Sequence, residues 1–252
     1  MSEVLNRVAL GELTVAAFSE AGLVDRLIEL ARQPVESPAT TVCYINAHII
    51  NLAWGDAEFR ACLRQASMLW PDGVSGRIAM RWAGARAPQR LSGVYFFDRF
   101  NAHLAAAGLR QFLLGGAEAT IARAAERIAR DHGPNLVAGF RSGYFQPADD
   151  DAVIEQINRS GADVLTVGMS SPRQEQWIVR HAGRLRPRLL WTVGALFDFW
   201  AGTERLAPAW MRHAWLEWLH RLAQDFGGKW RRYLLGNPLF LWRLLRQPPR
   251  KM

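Results

Sequence analysis

The chain has 252 residues, of which 50% are hydrophobic and 21% charged, so it can bury a sizeable core and is unlike a disordered chain. Its net charge of +8 is localised: from Arg205 to Met252 ten Lys/Arg stand against only Glu217 and Asp225. The preceding body is neutral, with 21 basic (31 less ten) and 21 acidic (23 less two) residues. Cys43 and Cys62 lie among apolar neighbours, without disulfide-framework or zinc spacing, and read as small core residues of a reducing compartment. The start lacks a basic segment followed by an apolar stretch, and no apolar run reaches about 18 residues. Neither a signal peptide nor a spanning helix is expected, and the expected location is cytoplasmic.

In chain order, strands are predicted over Thr41–Asn46, Arg110–Leu114, Leu136–Phe140, Val164–Val167 and Leu189–Val193. Helices are predicted over Ala47–Gln65, Ala119–Asp131, Asp151–Arg159 and Gln174–Leu185. This alternation predicts an α/β fold, a Rossmann-like, mostly parallel sheet flanked by helices. The Pro/Arg-rich stretch Gly84–Gly93 reads as a loop near a site or as a boundary between halves.

Several segments carry candidate chemistry. Pro71-Asp72-Gly73 follows the apolar run Met68-Leu69-Trp70, so Asp72 is either part of a plain turn or a carboxylate at a strand end, where open α/β sheets place ligands. Leu113-Leu114-Gly115-Gly116 leads from strand to helix and is either a packing turn or a place where a diphosphate approaches backbone N–H groups. In Gly168–Glu175, Ser171 suits a cap, Pro172 the first turn and Glu175 the positive end of a helix dipole. Gln174 is left over, an amide suited to reading a base or a sugar. Asp149-Asp150-Asp151 invites a metal-binding reading, but Val153, Ile154 and Ile157 follow at helical spacing, so the acids read as a helix start. The histidines show no ligand spacing, and His48 and His103 read as structural.

After Arg205 five of the 11 tryptophans accompany the basic residues. A helix over Ala209–Gln224 would put Trp210, Met211, Ala214, Trp215, Trp218, Leu219 and Leu222 along one side, and Gly236-Asn237-Pro238 reads as a break in the apolar, basic run Lys229–Arg246. Such a module suits the surface of an anionic membrane, while an exposed apolar face also suits a homo-oligomer contact. The expected organisation is an α/β domain over 1–204 and a C-terminal helical, basic and aromatic appendage over 205–252. A competing reading is a nucleic-acid-binding protein using the Arg/Trp segment, but the body is neutral and no nucleic-acid motif is present. A dehydrogenase is disfavoured because the GxGxxG fingerprint is absent.

The ordered motifs YINAHIINLA, PDG, QRLSG, FLLGG, GYF, SPRQEQW, VGALFDFWAG, LAPAW and LEWLHRL together resemble the WecG/TagA/CpsF glycosyltransferases, glycosyltransferase family 26, over nearly the whole chain. The resemblance implies an inverting transfer, without metal or other cofactor, from a UDP-sugar to a polyprenyl-diphosphate-linked sugar at the inner face of a membrane. By that resemblance Asp72 matches the catalytic base, and Tyr44, Asn46 and Arg90 match positions lining its pocket. Gln174, with Glu175 beside it, matches the donor-site motif, and Gly115 and Gly116 the nucleotide cradle. Arg221, Arg231 and Arg232 are the candidates for the lipid diphosphate. The chain departs from the family pattern at Tyr44 (usually a small hydroxyl), at Ser170 (usually glycine), at Leu206 (usually arginine) and at Asp225–Gly228. The family spans teichoic acid, enterobacterial common antigen and exopolysaccharide pathways.

Overall fold

A computed structural model describes residues 6–34, 38–86 and 91–252. The strands are β1 (Asn6–Leu10), β2 (Leu13–Ala17), β3 (Thr40–Ile45), β4 (Met68–Pro71), β5 (Gln111–Gly115), β6 (Val137–Arg141), β7 (Val164–Gly168), β8 (Leu189–Thr192) and β9 (Arg250–Lys251). They form one sheet in the order β6-β5-β7-β8-β3-β4-β2-β1-β9. The pairings from β6 across to β2 are parallel, and β1 runs antiparallel to both β2 and β9. The predicted α/β class is therefore the observed one, and each predicted strand lies within a residue of an observed one.

Side chains alternate across the sheet with the two-residue period of a strand. Val42, Leu113 and Trp191 point into one core. Their neighbours Cys43, Leu114 and Leu190 point into the cores on the opposite face. The first face is covered by α1 (Glu20–Ala31), α5 (Gly93–Ala106) and α6 (Glu118–His132), whose Phe96, Phe97 and Phe100 pack around Trp191. The second is covered by α2 (Ala47–Gly55), α3 (Ala57–Gln65), α4 (Gly73–Trp82), α7 (Asp150–Arg159) and α8 (Arg173–His181). The predicted helix Ala47–Gln65 is thus two helices. Asp56 ends the first in an extended conformation, and its carboxylate caps the second by accepting from Phe59 N at 2.9 Å. The predicted helix to Leu185 stops at His181 and tightens into a 3₁₀ turn. Asp149 does open a helix, and the carboxylate of Asp150 takes the ring N–H of Trp177 at 2.8 Å and sits 3.0 Å from His181 Nε2.

Beyond α9 (Leu196–Trp200), the appendage comprises α10 (Ala209–His213), α11 (Glu217–Gln224), α12 (Phe226–Trp230) and α13 (Gly236–Arg246). Two expectations are corrected here. Ala209–Gln224 is not one helix, because Trp215 adopts φ 64° and the Leu216 N–H reaches back to Met211 O at 2.9 Å, a Schellman stop with tryptophan where glycine is usual. Trp215 therefore leaves the supposed stripe and lies under the guanidinium of Arg77 at 4.2 Å, while Leu222 is buried. Nor does Gly236-Asn237-Pro238 break the chain's helical run. Pro238 falls in the first turn of α13, where its missing N–H has no partner to lose, and the irregularity is a π turn over Arg231–Leu235 just before it.

The appendage is fastened to the body at several points. Asn51 Nδ2 donates to Gly236 O at 2.7 Å, and Arg243 donates to both Asn51 O and Asn51 Oδ1 at 2.8 Å. Lys229 pairs with Glu204, and β9 pairs with β1. Asn51→Ala removes two of these bonds, one of them charge-assisted. It is expected to cost about 2 kcal/mol, seen as a lower denaturant midpoint and earlier proteolytic cleavage within 205–252.

Candidate active site

Parallel strands present their carboxyl ends to one edge of the sheet, and ligand crevices form there. Asp72 follows β4 at that edge, its N–H bonded to Ile45 O on β3 at 2.8 Å. It occupies the N-cap position of α4, yet its carboxylate does not cap that helix. Instead the carboxylate accepts from Gly93 N at the start of α5 at 3.3 Å and from the Ser92 hydroxyl. Gly76, one turn into α4, explains how the helix starts so close to the strand: a Cβ there would come within 2.7 Å of the Pro71 side chain and 2.9 Å of its backbone.

Two cavities meet at Asp72. The one on the sheet side, about 100 Å³, is walled by Tyr44, Ser170, Ser171, Thr192, Gly194 and Phe199 among others. The second, about 210 Å³, lies under the appendage and is walled by Ser75, Ile78, Trp218, Tyr233, Phe240 and Leu241 among others. Asn46, His48, Asp72, Ser92, Arg221 and Arg232 line both. Burial pushes the Asp72 carboxyl above its ordinary value, against the opposing pull of the Arg221 charge, the bonds from Gly93 and Ser92, and the Arg232 charge. His48 is held down to about 4, first by burial and then by the Arg232 charge, so its imidazole is neutral near pH 7. Arg221 lies over the ring of Phe199 at 4.8 Å and is held by the Tyr233 hydroxyl. The π turn carries Arg232 and Tyr233, adjacent in sequence, both to the cleft; such turns gather at functional sites.

The other expected site residues are distributed as follows. Asn46 caps α2, accepting from Ile49 N at 3.1 Å, and lines both cavities. Gln174 and Glu175 are fully buried beneath the cleft. Gln174 Oε1 accepts from Gly194 N at 3.1 Å, and its Nε2 reaches Glu175 Oε1 at 2.7 Å, Ser171 Oγ at 3.2 Å and Tyr44 OH at 3.4 Å. Its amide is thus occupied by protein groups. Ser171 bonds Glu175 Oε1 at 2.8 Å rather than capping α8. Gly115 and Gly116 lie at the end of β5 and line neither cavity. A Cβ on Gly115 would stand 2.2 Å from Gly168 O, and the Gly116 N–H is itself bonded to that oxygen at 3.1 Å, so this pair makes a close packing turn between β5 and β7. Arg231 is exposed and lies over Trp230 at 5.4 Å, outside both cavities. Arg90 lies outside the described residues.

A model of the glycosyl transferase WecG/TagA/CpsF family matches residues 8–252. The chain belongs to that family. It is therefore a glycosyltransferase-family protein of cell-surface polysaccharide biosynthesis. Against the family pattern, Ser170 has φ 62°, the left-handed conformation that glycine adopts without cost, which accounts for the glycine usual there. His48, which reads as structural in the sequence, lines both cavities together with Ser92, while Gly194 and Tyr233 each line one. His48 stands two residues after Asn46, at the start of the helix Asn46 caps, and that adjacency was the available signal. Tyr233 carries none, since only the folded appendage brings it to Asp72. A further residue, Tyr144, is 80% exposed just beyond β6, beside the Gly115–Gly116 turn to which Gly143 N bonds at 3.0 Å.

Proposed function

We propose that this chain is an inverting, metal-independent glycosyltransferase that moves a sugar from a UDP-sugar to a polyprenyl-diphosphate-linked saccharide, with Asp72 as the base. The observation that carries the reading is the position of Asp72 at the meeting of two cavities. The sheet-side cavity, bordered by hydroxyls and backbone groups, suits the donor sugar. The larger cavity under the appendage, with Trp218, Phe240 and Leu241, suits an acceptor attached to a lipid. The acceptor hydroxyl gives its proton to the Asp72 carboxylate as its oxygen bonds to the anomeric carbon. The bond from that carbon to the diphosphate oxygen breaks on the opposite side, so the configuration inverts. Arg221 and Arg232 offer positive charge to diphosphate oxygens, Asn46 can donate from Nδ2, and Gln174 and Glu175 hold the wall in shape from behind.

The appendage leaves Trp210, Phe226, Leu235, Trp242 and Leu245 exposed, Trp210 at 65% and Leu245 at 63%, among basic residues. Among the described residues no helix is long and apolar enough to cross a membrane. In this reading the appendage lies on the anionic inner surface of the cell membrane and reaches an acceptor held there.

The test is transfer of radiolabel from a panel of UDP-sugars, in EDTA, to polyprenyl-diphosphate-sugar in anionic vesicles. Label moving into the lipid extract, with the protein sedimenting with the vesicles at low salt, is the expected result. A chain that neither transfers label nor binds UDP does not have this function. Tyr144 gives the donor side its own check. An exposed aromatic beside a turn suits stacking on the uracil ring, worth about 1–3 kcal/mol, so Tyr144→Ala is expected to raise the donor KM roughly tenfold with little change in kcat.

A further inference from the structure

We propose that Tyr44 decides which sugar is transferred: its ring fills the space beside the anomeric carbon, so donors with a plain hydroxyl at C2 are used and donors with an N-acyl group there are rejected. This rests on the donor-and-base reading given above.

The placement follows from strand register. On β3, Tyr44 pairs with Trp70 of β4 and Ile45 with Pro71, and Ile45 O holds the N–H of Asp72. Tyr44 thus stands one residue from the point that fixes the base, and both side chains line the sheet-side cavity. The reacting carbon must lie within reach of an oxygen bonded to Asp72. Its one carbon neighbour that carries an exocyclic oxygen or nitrogen is C2, so the C2 substituent is the sugar group nearest the reacting carbon, and the proposal turns it toward Tyr44, which shares this cavity with the base.

Tyr44 is held so that it cannot yield to a bulkier substituent. Its ring packs at an angle against Trp70, with centroids 6.4 Å apart. Its hydroxyl lies only 2.6 Å from where a Cβ on residue 194 would stand, and Gly194 has φ 60°. That glycine is tied by its N–H to Gln174, whose Nε2 reaches the phenol oxygen at 3.4 Å. Turning the phenol aside would break this clasp between β3, α8 and the segment after β8. The small hydroxyl usual at this position in the family would leave the volume of the ring to the sugar.

The experiment compares kcat/KM for UDP-glucose with UDP-N-acetylglucosamine, and for UDP-galactose with UDP-N-acetylgalactosamine, since each pair differs only at C2. Wild type and Tyr44→Phe, which keeps the ring, are expected to favour the plain hexose at least tenfold. Tyr44→Thr and Tyr44→Leu are expected to narrow that preference at least tenfold while UDP affinity stays within about twofold. Equal or better use of the N-acetyl donors by wild type overturns the proposal, as does an unchanged preference in a folded small-residue variant. Where no donor is turned over but UDP binds, the relative affinities of the paired donors, read by displacement of UDP, decide the question in the same way. Failure to bind UDP at all would instead sink the donor reading on which the proposal stands.

Discussion

Asp72→Asn keeps the shape of the side chain and removes its basicity, and kcat is expected to fall by about 10²–10⁴ while UDP affinity stays near wild type. Asn can still accept from Gly93 N and Ser92, so the start of α5 is not disturbed. The wild-type pH profile is the companion measurement. The base acts ionised, and burial raises its pKa; activity therefore falls as pH drops, with the midpoint above the 3.8 of an ordinary aspartate. That acid limb should be absent from the residual activity of the Asn variant. Undiminished transfer by Asp72→Asn would remove Asp72 from the chemistry and leave the enzyme class standing.

The second large effect concerns Arg221. Its charge is the strongest influence lowering the pKa of Asp72, and its guanidinium is fixed between the Phe199 ring and the Tyr233 hydroxyl. Arg221→Met keeps much of the stem packing while removing the charge and its donors. In the proposed function Arg221 also pairs with diphosphate oxygens, and losing one partner of such a charge-assisted pair costs about 2–5 kcal/mol, so kcat/KM for the acceptor should drop by about thirtyfold or more. The sign of the pH effect is fixed by the same geometry. Without the cation the Asp72 carboxylate is harder to ionise, so the acid limb moves to higher pH. A variant that loses activity with an unmoved limb would show that Arg221 serves the substrate alone and does not act on the base. Arg231→Met is the natural comparison, since that side chain lies outside both cavities, and it should leave the limb where it is.

The sequence by itself determined the α/β alternation, because apolar, β-branched runs such as Thr41–Asn46 and Val164–Val167 alternate with stretches of helical spacing, and that order packs as a mostly parallel sheet covered by helices. It also offered Asp72, as a plain turn residue or as a carboxylate at a strand end, where such sheets place ligands, and only the resemblance of the ordered motifs to the family marked it as the base. The charge of the appendage was equally legible, being a matter of counting. Tertiary structure decided what local pattern cannot carry. Gln174 looked like a free amide because its partners Tyr44 and Gly194 are 130 and 20 residues away. Glycines 115 and 116 read equally as a packing turn or a phosphate cradle, and the packing contact is invisible locally because Gly168 O, the atom that forbids a side chain at 115, belongs to a strand 53 residues on. The single helix expected over Ala209–Gln224 failed at Trp215, where a left-handed backbone overrides the helical pattern, and Arg77, from α4, stacks on the ring. The site around Asp72 is closed by Arg221, Arg232 and Tyr233, and their approach depends on how the appendage is fastened through Asn51, Glu204 and β1. Contacts of that sequence separation are set by the packing of whole elements, and no local periodicity records them.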